Sequence, residues 1–226
     1  MTYRGFSREQ IASYIDHTVL KPAASAKDIE KAVEVALEAN VAAVCFRPSD
    51  LTLAKQLLGD SALGLATVVG FPHGTNETAV KAFETKLAVA QGATEIDMVI
   101  HYGHLIEGLD AQVQGDIAAV VEAAQGALVK VILETSELTH DQIVRACELS
   151  RAAGAHYVKT STGFASGGAT PEIVKLMATT VPELGVKASG GIRTLDQLID
   201  MVEAGATRVG ASGTAAILQE FDAKSN

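Results

Sequence analysis

The chain has 226 residues, 48% of them hydrophobic and 20% charged, enough for one large core and close to the roughly 200–250 residues that eight βα units require. A net charge of −9 excludes a broad attraction to nucleic acid or to an anionic membrane, so an anionic ligand must be held by local groups. No apolar run approaches the ~20 residues of a membrane span, the first ten residues lack the apolar stretch of a secretory leader, and Cys45 and Cys147 form neither a disulfide framework nor a metal pattern; the expectation is a cytoplasmic protein.

In chain order, the first strand is predicted at 14–20 and contains Asp16. A helical pattern follows between Ser25 and Asn40, with Ile29, Val33, Ala36 and Leu37 at helical spacing. Strands at 42–46 and 65–71 come next, the former carrying Cys45. The strand at 95–100 has Glu95 and Asp97 on one face, and the strand at 128–133 has Lys130 with Glu134 at its end, again on one face. Thr139 to Gln142 (THDQ) reads as a capping box opening a helix with Ile143, Ala146 and Cys147 inward. Strands at 156–160, 186–189 and 208–210 complete the set; Lys159 and Lys187 lie near the ends of the first two. A last helix covers 214–220.

Four helix-to-strand junctions repeat one pattern: LEANVAAVCF, AQGATEIDMVI, AAGAHYVKTS and EAGATRVGAS. Each helix ends at Asn or Gly, residues that tolerate the left-handed conformation after a helix, and a short β-branched strand begins at once. Strictly alternating β and α elements imply parallel strands. Eight of them without a linker imply one (β/α)₈ TIM-barrel domain over residues 1–226. A doubly wound open sheet is the alternative, but no GxGxxG follows the first strand.

Strands of such a barrel are covered on both faces and should read as apolar runs. Asp16, Glu95, Asp97, Lys130, Glu134, Lys159 and Lys187 violate that rule. An unpaired buried charge costs several kcal/mol, so these residues are expected to form one compensating cluster in the barrel mouth, at the C-terminal ends of the strands, where barrel active sites lie. Lys159 and Lys187 fall on consecutive strands, and two neighbouring, partly desolvated ammonium groups lower each other's pKa. Making a lysine neutral near pH 7 requires roughly 4–5 kcal/mol and yields a nucleophilic amine. Asp97, with a water, is placed to move protons.

Glu95 lies deeper than Asp97 and reads as structural. Asp16 is read equally well as a site residue or as the partner of a loop. Cys45 reads as a small mouth-lining side chain, since no histidine is spaced to activate it. The six histidines form no HxH or HExxH arrangement, so neither a metal nor another cofactor is expected. Two glycine-rich turns, Ser189-Gly190-Gly191-Ile192-Arg193 and Gly210-Ala211-Ser212-Gly213-Thr214, follow strands seven and eight, the usual place of a barrel phosphate cradle. Thr162-Gly163-Phe164, just past Lys159, would close a third side, while Arg193 reads equally as a surface salt-bridge residue. The expected partner is therefore a small phosphorylated sugar.

The segments IDHTVLK, AAVCFRP, VVGFPHG, TEIDMVI, VKVILET, YVKTSTGF, VKASGGIRT and RVGASGT resemble the deoxyribose-phosphate aldolase family from about residue 15 to residue 218. The resemblance implies metal-free, class I cleavage of 2-deoxyribose 5-phosphate to glyceraldehyde 3-phosphate and acetaldehyde. It implies Lys159 as the Schiff-base lysine, Lys187 as the lysine that lowers its pKa, and Asp97 as the proton relay. The substrate contacts it implies are Asp16, Cys45, Thr162, Gly163, Gly190, Gly191, Gly210 and Ser212. Relatives are often dimers, so a homodimer is compatible with it.

Four departures stand out. Phe164 occupies the place of a phosphate-binding lysine found in some members, and Gly213 that of a second serine. HYGHLIEG replaces an asparagine-containing stretch, and the tail FDAKSN lacks a tyrosine that some members use in proton transfer. Competing readings are another Schiff-base aldolase or transaldolase, a barrel that binds sugar phosphate without reacting, and an isomerase working through Glu or His.

Overall fold

The computed structural model describes residues 1–225; Asn226, the last residue of the FDAKSN tail, lies outside them. Elements follow in the order α1 (Arg8–Ser13), β1 (Ile15–Val19), α2 (Ala26–Ala39), β2 (Ala43–Phe46), α3 (Leu51–Leu58), β3 (Gly64–Val69), α4 (Thr78–Ala90) and β4 (Glu95–Val99). Then come α5 (Tyr102–Ile106), α6 (Asp110–Ala123), β5 (Leu128–Ile132), α7 (His140–Ala152), β6 (Tyr157–Lys159), α8 (Pro171–Thr180), β7 (Gly185–Ser189), α9 (Leu195–Glu203), β8 (Arg208–Ala211) and α10 (Thr214–Lys224). The eight strands pair in parallel with their sequence neighbours, and β1 pairs with β8, closing a barrel.

The predicted junctions form as read. Asn40, Gly92, Gly154 and Gly205 all have positive φ, between 50° and 115°, so each helix turns directly into the next strand. Thr139 and Gln142 make the predicted capping box. In α2 the buried face is Ile29, Ala32, Val33 and Ala36. Leu37, predicted inward, is 42% exposed, because it sits one step round the helix from that face. Two short helices were not read from the pattern: α1, which precedes β1, and α5, inserted after β4.

Side chains alternate along each strand, and this splits the core in two. Ile96, Met98, Val129, Val131, Val158, Val186 and Val209 face the helices and belong to the main hydrophobic cluster. The opposite parity faces the barrel axis. On the β2–β3 side the interior is apolar, with Cys45, Ala66 and Val68 packed against Leu20. Elsewhere the inward positions carry Asp16, Glu95, Asp97, Lys130, Lys159, Lys187 and Arg208, of which all but Arg208 are buried. Outside the barrel, Lys81 of α4 donates to Asp116 of α6 at 2.5 Å and to the Val99 carbonyl at 3.0 Å, tying both helices to the end of β4.

Lys81 is fully buried, so Lys81→Met strands the Asp116 carboxylate. The variant is expected to lose about 3–5 kcal/mol in denaturant unfolding, and Lys81→Met with Asp116→Leu to recover most of it. A loss below about 1 kcal/mol for the single variant would contradict this role.

Candidate active site

Strand register assembles the cluster. Asp97 is the Cα partner of Lys130, Lys159 of Lys187, and Lys187 of Arg208, so these side chains enter the interior from adjacent strands. Asp97 is the hub. Its Oδ1 accepts from Lys130 at 2.8 Å, and its Oδ2 accepts from both Lys159 at 2.8 Å and Lys187 at 2.7 Å. Lys187 also lies 2.5 Å from Asp16 Oδ2. Arg208 donates to Asp16 at 2.6 Å and to Glu95 at 2.9 Å, and Glu95 accepts from Lys130 at 2.5 Å.

The network therefore extends below the mouth, down to Glu95 and Arg208 at the first positions of β4 and β8. The predicted confinement to the strand ends is corrected. The charges there need deep partners, and the barrel axis is the only place where six strands can supply them. Arg208 was absent from the sequence reading, although it shares the inward parity of Gly210. Glu134 does not belong to the network. The strand ends at Ile132, and Glu134 adopts φ 58°, ψ 61°, which turns its carboxylate toward Thr162 instead of the barrel axis.

The three lysines respond differently to one environment. Burial depresses Lys159; Asp97 pulls the other way, but burial, helped by the smaller repulsion from Lys187, outweighs it and the pKa is lowered. Burial also disfavours the charge on Lys187, but Asp16 and Asp97 outweigh it and the pKa rises. Lys130 is raised likewise, by Asp97, Asp16 and Glu95 against burial. The mutual lowering read from the sequence is thus one-sided, since Lys187 has two carboxylates and Lys159 has one. Asp97 is driven well below the usual carboxylate range, because three ammonium groups outweigh its burial. With every group ionised the cluster holds four cations and three carboxylates. Loss of one proton from Lys159 balances it.

A cavity of about 980 Å³ opens above the cluster, and Lys159 lies on its wall. Asp97, Lys187, Asp16 and Cys45 are fully buried and stand outside its lining. Asp16 and Cys45, which the resemblance implies as substrate contacts, thus lie behind the cavity wall with Asp97 and Lys187. Asp16 holds Lys187 and Arg208, and Cys45 is an interior apolar group whose thiol burial pushes up to about 11. Thr162, Gly163, Gly190, Gly191, Gly210 and Ser212 all line the cavity.

The glycines answer to geometry. Gly190 has φ 89°, and a Cβ there would meet Gly168 Cα at 3.0 Å; a Cβ on Gly210 would meet Ser189 at 3.0 Å and the Lys187 chain at 3.5 Å. Helix α9 is capped by Thr194, whereas α10 begins at Gly213 without a side-chain cap. The first-turn amides of α10 are thus left for an anion. Lys21, Lys31 and Arg193 add positive charge to the cavity wall. His17, unnoticed in the sequence, accepts from or donates to Thr214 at 2.7 Å beside this helix end, and burial lowers its pKa to about 4. Phe164 also lines the cavity, its ring edge-on to Phe71 at 5.2 Å.

A model of the DeoC/LacD family of aldolases matches residues 10–223. A deoxyribose-phosphate aldolase of Clostridium perfringens (strain 13) is 53% identical over 214 residues, 94% of this chain and 96% of that protein. Deoxyribose-phosphate aldolase 1 of Staphylococcus aureus (strain Mu50) is 53% identical over 214 residues, 94% of this chain and 97% of its own. Among solved structures, the deoxyribose phosphate aldolase of Aeropyrum pernix, described as tetrameric, has a TM-score of 0.89 at 34% identity and covers 96% of this chain and 92% of its own.

Lys187→Met removes the cation that repels the Lys159 proton and frees Asp97 to attract it. The apparent pKa of Lys159, read from the pH dependence of aldehyde trapping by borohydride, is expected to rise. The reactive limb of that profile then moves to higher pH, because only the neutral amine attacks. An unmoved limb in a folded variant would contradict the coupling.

Proposed function

The chain belongs to the DeoC/LacD family of aldolases, and from that membership we propose that it cleaves 2-deoxy-D-ribose 5-phosphate reversibly to D-glyceraldehyde 3-phosphate and acetaldehyde, through a Schiff base on Lys159. The observation that carries this reading is that Lys159 reaches the cavity wall from the buried ion cluster and has its pKa lowered there.

The neutral Lys159 amine adds to the C1 aldehyde of the open-chain sugar, and the carbinolamine loses water to give a protonated imine. Its positive charge develops beside Asp97 Oδ2, which already accepts from this nitrogen at 2.8 Å, so the carboxylate is in place to stabilise it. The C3 hydroxyl gives up its proton, the C2–C3 bond breaks, and the bonding pair moves into an enamine on Lys159. C3 leaves as the aldehyde of glyceraldehyde 3-phosphate. The enamine takes a proton at C2, and water hydrolyses the resulting imine to acetaldehyde and free amine. Asp97 relays the protons with a water, and Lys187, held charged by Asp16, is the ammonium that keeps the Lys159 pKa down.

The phosphate lies against the Gly190-Gly191 turn, the Ser212-Gly213 turn and the uncapped end of α10, with Thr162-Gly163 on the third side. Phe164 supplies no charge there, so the grip rests on backbone amides, with Lys21, Lys31 and Arg193 supplying positive charge from the cavity wall. No helix among the described residues is long and apolar enough to cross a membrane, and both cysteines are free and buried; a cytoplasmic setting accords with this. A homo-oligomer accords with the A. pernix relative.

Acetaldehyde followed by borohydride should leave an ethyl group on Lys159, read by peptide mass, and Lys159→Ala should abolish both adduct and turnover. An adduct that survives Lys159→Ala would refute the assignment. Asp97→Asn should lower kcat by about 10²–10⁴-fold, the range of a general acid–base group, with a far smaller change in KM. An unchanged kcat in a folded Asp97→Asn would contradict the relay.

A further inference from the structure

Glu134 is a buried acid that the chemistry above does not use. It is 2% exposed, yet it belongs to no ion pair of the central cluster. Its backbone is left-handed, φ 58° and ψ 61°, a conformation uncommon for a residue with a long side chain; unlike Gln125, which shares the positive φ at an exposed position, Glu134 is buried.

What fixes it is the turn after Lys159. The Thr162 amide donates to both Glu134 oxygens at 3.3 Å, and the Thr162 hydroxyl donates to Oε2 at 2.5 Å. The same hydroxyl oxygen accepts from the Phe164 amide at 3.1 Å, and the neighbouring Thr135 amide donates to the Thr160 carbonyl at 3.0 Å. Across the turn, Thr160 and Ser161 are tied to Ser189 of β7: the Thr160 hydroxyl donates to the Ser189 carbonyl at 2.9 Å, and the Ser189 hydroxyl to the Ser161 carbonyl at 2.7 Å. The turn is therefore held from both sides; on the β5 side Glu134 is the side chain that anchors Thr162, and two residues past the turn Ser166 donates to Glu137 at 2.7 Å. With the Thr162 and Phe164 amides occupied, Gly163 keeps the one N–H of the three that has no internal partner among the described residues. Thr162, Gly163 and Phe164 all line the cavity.

We propose that Glu134 is a positioning residue for the phosphate end of the substrate: its carboxylate fixes the Thr162–Phe164 turn so that the Gly163 amide is left for the anion. A carboxylate suits this, since its two oxygens can take the amide and the hydroxyl together; burial raises the Glu134 pKa, and the two Thr162 hydrogen bonds oppose that by favouring the ionised form. With Phe164 in place of a cation, backbone placement at this turn matters more, not less. The proposal rests on the aldolase reading above.

The test compares turnover of 2-deoxyribose 5-phosphate and of unphosphorylated 2-deoxyribose by wild type, Glu134→Gln, Thr162→Val and Thr162→Ser. Glutamine keeps the size but offers one acceptor where Thr162 needs two. Glu134→Gln and Thr162→Val are expected to raise KM for the phosphorylated sugar about tenfold, the worth of one charge-assisted hydrogen bond. For the unphosphorylated sugar kcat/KM should change far less, and Thr162→Ser, which keeps the hydroxyl, should have a KM for the phosphorylated sugar well below that of Thr162→Val. Equal losses on the two sugars, or an unmoved KM in a folded Glu134→Gln, would overturn the proposal. Should Glu134→Gln fail to fold, the Thr162→Val and Thr162→Ser pair decides by the same criteria. Wild-type failure to cleave the phosphorylated sugar would instead sink the aldolase reading, and this inference with it.

Discussion

The Asp97 carboxylate, bridging three lysine ammonium groups inside a closed barrel, is the interaction on which the rest of the structure depends. A parallel barrel buries its strands on both faces, so any charge placed on the inner face must be met by another on a neighbouring strand. Asp97 meets Lys130, Lys159 and Lys187. Asp16 and Glu95 take up the remaining capacity of Lys187, Lys130 and Arg208. Removing Asp97 would leave the three cations crowded together with too few acceptors.

That arrangement also separates two lysines that look alike in the sequence. Lys187 is enclosed and has two carboxylates, so its proton is held. Lys159 has one carboxylate, a cationic neighbour and a cavity, so its proton is the one the cluster can release. The lowered pKa of Lys159 thus comes from burial as the largest contribution, which its single carboxylate, Asp97, does not offset, with Lys187 adding to the lowering. The apolar β2–β3 side, with Cys45, Ala66 and Val68, keeps the medium beside the amine poor in water, which magnifies both effects.

Much of this was legible in the sequence because it is local. Asn40, Gly92, Gly154 and Gly205 announce helix ends through their own backbone preferences, and Thr139 with Gln142 announces a helix start. Lys159, Lys187 and Asp97 were legible because charge on a doubly covered strand is anomalous wherever its partner lies. Partnership was not legible. The depth of Glu95 and the involvement of Arg208 depend on strand register around the barrel, and the first residue of a strand reads equally well as surface. Glu134 was misplaced because a left-handed glutamate carries no local signal, unlike glycine or asparagine; only its contact with Thr162, 28 positions away, explains it. Helices α1 and α5 are too short to show a period and are set by the loops they close.

The central claim is that one lysine of the cluster releases its proton while its neighbours keep theirs. Its most direct test is an NMR titration of the lysine side chains in the wild-type protein, with signals assigned by single replacements at Lys130, Lys159 and Lys187. Lys159 should titrate below the ordinary lysine range, and Lys130 and Lys187 should remain charged beyond it. A Lys159 signal that titrates at or above the ordinary value, or a Lys187 that loses its proton first, would contradict the account.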